Sequence, residues 1–198
     1  MFDKNTLGLL SVAIAAVSYV PYIRATLKRT IRPHAFSWFI WALMGLIGYA
    51  AQYVKDAGPG GWVTGFSAIV GFFIAALVFQ QGDHDITRSD WVAFGGGIAA
   101  IPLWYFTKDP TASVILVTII NTVGLYPTLR KSYKRPHEEM ALLFAFSGIK
   151  FLISLFALDS YSFVTMITPV TSLFTNAGTI ILLLWRRRVL RRRKKAAT

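Results

Sequence analysis

Pro21-Tyr-Ile-Arg24-Ala-Thr-Leu-Lys28, running on to Arg32-Pro33-His34, has a second version in Pro127-Thr-Leu-Arg130-Lys-Ser-Tyr-Lys134, running on to Arg135-Pro136-His137. Proline, arginine and lysine recur 106 positions apart and the Arg-Pro-His triplet 103 apart, as if the second version had lost three loop residues. Ala42 and Gly45 keep the offset of 103 at Ala145 and Gly148. Each version joins one apolar run to another, so the repeat reads as a basic elbow between two membrane helices. Self-similarity at a fixed period constrains the whole fold.

Outward from the elbows the chain is apolar. Hydrophobic residues make up 55% of the 198 and charged ones 15%, against roughly 45–50% and 25% in soluble domains. A bilayer span needs about 20 mostly apolar residues. Seven such runs fit, near 6–23, 35–54, 60–79, 89–106, 111–129, 140–158 and 162–185. They use nearly the whole chain and leave no separate soluble domain. With no cysteine, disulfides and thiol ligands are excluded.

A net charge of +12 raises the question of nucleic acid, and its distribution answers no. Four cations lie between the first two spans (Arg24, Lys28, Arg29, Arg32), four between the fifth and sixth (Arg130, Lys131, Lys134, Arg135), and eight after Trp185. With Arg88, 17 fall on one side, against Lys4, Lys55 and Lys108 on the other. That bias predicts the N-terminus outside and the C-terminus in the cytoplasm. An odd number of spans requires opposite ends, so the charges agree with seven. The expectation is an integral protein of a bacterial or archaeal plasma membrane. Its basic tail reads as a stop-transfer anchor that fixes orientation, rather than a recruiter of anionic lipid.

Met-Phe-Asp-Lys-Asn lacks the positive start of a signal peptide. Ala13-Ile-Ala15 resembles a cleavage site, yet the first span is the counterpart of the fifth and should be retained. Pro21 falls where it kinks or ends a helix, and Pro33 and Pro136 are expected in first turns, which proline tolerates. Asp83, His84 and Asp85 form a polar loop better read as a solvated turn than as metal ligands. The fourth span, with Gly95-Gly-Gly97, pairs with nothing else. Two three-helix units joined directly would face opposite ways, and one added span restores a common orientation. The expected organisation is therefore a single membrane domain: a first unit at 1–82, a linker with the fourth helix at 83–107, a second unit at 108–185 and a basic tail at 186–198. The units are parallel repeats about an axis along the membrane normal.

All nine carboxylates fall at expected helix ends or loops. The interior holds Lys150 and many neutral polar groups. An ionisable side chain at that depth is a functional-site hypothesis; the other reading is that its stem snorkels outward toward Asp159. Ser147, Lys150 and Ser154 share a helix face, as do Thr118, Asn121 and Thr122 in the fifth span. The seventh carries Thr165, Thr168, Ser172, Asn176 and Thr179 on one side. Polar side chains in a span face the bundle or a wet cavity, although single serines and threonines often only bond their own backbone. In the first unit the candidates are Ser37, Trp41, Gln52, Ser67 and Gly71, with Trp38 read as an interface-belt residue.

A proline near the inner end of each unit's first helix, a basic elbow, and a three-plus-one-plus-three layout together resemble the PQ-loop and SWEET-like transporters. Tyr22 and Thr128 stand where those families usually carry glutamine. The resemblance implies that Pro21, Pro33, Pro127 and Pro136 are hinges beside an inner gate, and that Asn176 matches the seventh-helix asparagine that contacts sugar. Trp38-Phe-Ile-Trp41-Ala-Leu-Met-Gly45 also resembles part of the Trp-x-x-Trp-x-x-x-Asn pattern of the PnuC vitamin carriers, with Gly45 departing from it.

The expected fold is thus an all-α membrane protein. The expected function is not enzymatic: a facilitator for a sugar or other small polar metabolite, working by alternating access, with no cofactor or metal. Its partners are the lipid bilayer and a small-molecule substrate, with room for a homo-oligomer. Substrate contacts are expected from Asn121, Asn176, Lys150, Trp41, Ser147, Thr118, Ser172 and Ser67. A seven-helix receptor or scaffold without a transport path is the alternative class; a retinal protein is disfavoured because the seventh span has no lysine.

Overall fold

A computed structural model describes residues 3–82 and 110–196, with isolated positions between 83 and 109. Among the described residues the regular structure is helical: α1 (Lys4–Leu27), α2 (Ala35–Val54), a 3-10 turn (Gly58–Gly61), α3 (Trp62–Gln81), α4 (Pro110–Gly124), α5 (Tyr126–Lys134), α6 (Ala141–Phe156) and α7 (Phe163–Ala196). Four segments, Lys4–Leu27, Ala35–Val54, Gly58–Gln81 and Phe163–Arg192, are long and apolar enough to cross a membrane; α6 is apolar but shorter. Most of the expected fourth span and all of the Asp83-His84-Asp85 loop lie outside the described residues.

The distribution of side chains is that of a membrane protein. Leu9, Val17, Ile69, Phe73, Ile119, Phe174 and Ile181 are exposed, whereas Ser11, Ser18, Thr26, Ser37, Gln52 and Lys150 are buried. Soluble monomers rarely expose contiguous apolar surface on that scale, and a hydrocarbon solvent reverses which face is favourable.

The helices close a ring: α1 against α3, α3 against α2, α2 against α4, α4 against α7, α7 against α6, and α6 back against α1. Arg29, at φ 55°, turns the chain out of α1, and Gly82, at φ 68°, caps α3 in the left-handed conformation glycine favours.

Two local expectations are corrected. The fifth span is not one helix: it breaks at Leu125 into α4 and α5. Pro127 has no N–H to continue the ladder, and Gly124 lies so close to α2 that a Cβ there would fall 2.6 Å from Ile40 Cγ2. Pro21, by contrast, lies inside a continuous α1. Pro33 and Pro136 sit in the elbows, ahead of α2 and α6, rather than in first turns. The basic tail continues α7, a helix of 34 residues and so about 51 Å long.

Candidate functional site

Lys150 projects from α6 into the middle of the ring and is 1% exposed. Its Nζ donates to Tyr19 Oη of α1 at 2.9 Å and to Ser67 Oγ of α3 at 2.8 Å. The ammonium also lies 4.7 Å from the Tyr19 ring centroid and 5.1 Å from that of Phe151, distances at which an aromatic face attracts a cation. The snorkelling alternative is overturned: Asp159 pairs with Lys4 at 3.4 Å, and among the described residues no carboxylate is within ion-pair distance of Lys150.

A cavity of about 120 Å³ opens beside this lysine. A water needs roughly 10–15 Å³ of such space, so there is room for several waters or one small solute. α6 adds Ser147 and Phe144 to its wall, α3 adds Thr64, Ser67 and Gly71, and α2 adds Trp38 and Trp41. The two indoles stand edge to face, with centroids 5.5 Å apart. Trp38 is not a belt residue: it is buried, and its Nε1 donates to Tyr22 Oη at 3.1 Å.

The remaining wall comes from α4, through Asn121 and Thr122, and from a polar stripe on α7 through Thr168, Thr171, Ser172, Thr175, Asn176 and Thr179. Much of the stripe is bonded to its own helix. Thr175 donates to Thr171 O at 2.9 Å, Asn176 Nδ2 to Ser172 O at 2.6 Å and Thr179 to Thr175 O at 2.8 Å, the back-bonding expected of such residues in apolar helices. Three buried polar atoms on the wall have no protein partner: Asn121 Oδ1, Thr64 Oγ1 and Thr168 Oγ1. Each costs free energy unless a solute or solvent satisfies it.

Of the expected contacts, Asn121, Asn176, Lys150, Trp41, Ser147, Ser172 and Ser67 share this one wall, whereas Thr118 is not on it and donates to Val114 O at 2.7 Å. Gln52 and Ser37 are buried off the wall, and Gln52 Nε2 donates to Thr165 O at 3.0 Å. Sequence reasoning missed Tyr19 and Thr64. The Thr64/Ser67 spacing of three, on the same face as Gly71, was the available signal.

Contacts between α1–α3 and α4–α7 flank the cavity at both ends. At the Lys4 end Asp159 N donates to Ala57 O at 3.1 Å, and a Cβ on Gly60 would fall 2.7 Å from Ser154 O. At the other end Tyr22 Oη meets Glu139 Oε2 at 3.4 Å and Arg32 N donates to Glu138 O at 3.1 Å. Arg187 of α7 straps that elbow, donating to Pro136 O at 3.0 Å and Glu139 O at 2.6 Å. Glu139, expected at a helix end or loop, is 2% exposed, because the two elbows and the extended α7 close over it. Among the described residues no carboxylate lines the cavity.

No protein-family model, curated protein or solved structure matches this chain.

Proposed function

We propose that the chain is a small-solute membrane transporter, a facilitator that works by alternating access around the Lys150 cavity. The observation that carries the reading is a polar cavity walled by all six helices of the ring, flanked at each end by contacts that join the same two groups of helices. Rocking one group against the other would loosen one set of contacts while keeping the other. The proposal includes the two-repeat architecture. In its support, exchanging α1, α2 and α3 for α4, α6 and α7 turns the ring of helix contacts into itself. It also includes the orientation, N-terminus outside, supported by the gathering of Arg24, Lys28, Arg32, Lys131, Lys134 and Arg187 at the Glu139 end.

Gradient-driven flux is proposed because the described wall carries no carboxylate to exchange protons with the solute. Purified protein in liposomes is expected to pass a small polar solute without a pH gradient. Asn176→Ala and Lys150→Ala, folded as judged by helix content and elution, are expected to lose that flux. Unchanged flux in both variants removes the site from the proposal.

A further inference from the structure

We propose that the solute is a small organic monocarboxylate, held by the paired donors of Lys150 and Tyr19. The inference rests on the transport reading for its context but concerns binding, which is measured without flux.

Donor arithmetic carries it. An ammonium has three donors, and Lys150 uses two, on Tyr19 Oη and Ser67 Oγ. Ser67 spends its own hydrogen on Val63 O at 2.6 Å. Tyr19 accepts from the lysine, and its hydroxyl hydrogen has no protein acceptor among the described residues. One ammonium hydrogen and one phenol hydrogen therefore remain, on atoms 2.9 Å apart, a spacing that suits the two oxygens of a carboxylate. The charge agrees, since a buried cation without an anionic partner is costly, and a bound carboxylate supplies the missing charge together with two acceptors. A single cation matches a monoanion; a phosphate dianion would leave one charge buried and unpaired.

The rest of the wall limits the remainder of the solute. Trp38 and Trp41 offer apolar faces, while Thr64, Thr168 and Asn121 hold the unpartnered polar atoms. A short chain with one hydroxyl, which can donate to Asn121 Oδ1 or accept from a threonine, suits this wall, within a cavity of about 120 Å³.

The test is equilibrium binding to the purified full chain in detergent, with L-lactate, its neutral isostere lactamide, inorganic phosphate and glucose as probes. Lactate is expected to bind and lactamide to bind at least about tenfold more weakly, as loss of a charged hydrogen bond dictates. Lys150→Met is expected to abolish the preference for lactate over lactamide, and Tyr19→Phe, which keeps the ring, to weaken lactate several-fold. Thr118→Ala, off the wall, is expected to change nothing. Equal binding of lactate and lactamide by the unaltered chain, no lactate binding at all, or tighter binding of phosphate or glucose each overturns the assignment without any variant. Flux measured separately divides the two readings. Lactate binding without flux sinks transport and leaves the site standing, whereas glucose flux without lactate binding does the reverse.

Discussion

Gly124 of α4 packs tightly against Ile40 of α2, and one methyl group is enough to test that approach. A Cβ there would lie 2.6 Å from Ile40 Cγ2 and 3.2 Å from Ile40 Cβ. Gly124→Ala is expected to lower stability by about 1–3 kcal/mol, the usual cost of overpacking. Ile40→Ala, which removes the Cγ2 in the way, should cost less in the Gly124→Ala background than in the unaltered chain, read as the thermal midpoint in detergent. An unaffected single variant would show that the two helices move apart freely. Trp38 permits a gentler test at the same scale. Trp38→Phe removes the donor to Tyr22 Oη but keeps a ring, so a loss of about 1 kcal/mol is expected, and a neutral result would mean that this hydrogen bond adds nothing.

At the scale of elements, the part of α7 beyond the apolar run acts as a strap. Arg187 holds two carbonyls of the elbow that precedes α6, at Pro136 and Glu139. Arg187→Ala is expected to speed amide hydrogen exchange across residues 135–140 while leaving α1 and α2 protected. Arg187→Lys should rescue little, since an ammonium does not present the guanidinium's planar set of donors. Uniform protection in both variants would contradict the strap. This strap also marks a limit of sequence reading. A run of arginines after an apolar segment tells which side of the bilayer it faces, but not that the helix continues and folds back against an elbow about 50 positions earlier. The inward faces were easier to read: the three-and-four spacing of Ser147 with Lys150 and of Ser172 with Asn176 settled which side of each helix turned to the cavity. Thr118 misled because the three-and-four spacing it shares with Asn121 and Thr122 does not tell how far along the helix the cavity extends: Asn121 and Thr122 line it and Thr118, one turn away, does not. Trp38 misled because its tyrosine partner lies in the preceding helix, beyond any local pattern.

For the whole molecule, the two flanking contact sets make alternating access directly testable. The chain has no cysteine, so an introduced pair reports alone. Ala57→Cys with Asp159→Cys, bridged by a short cleavable thiol reagent, is expected to stop solute flux, and cleavage should restore it. Flux that persists through the bridge would mean that this end need not open. Lys150, the one ammonium on the cavity wall among the described residues, has one more consequence. With the proposed monocarboxylate bound the cavity would be electrically balanced, whereas the empty form would carry a bare charge through a medium of low polarity. Reorientation should therefore be faster loaded than empty, so that swapping solute for solute across the bilayer outpaces one-way filling, and the one-way rate responds to voltage far more than the swap does.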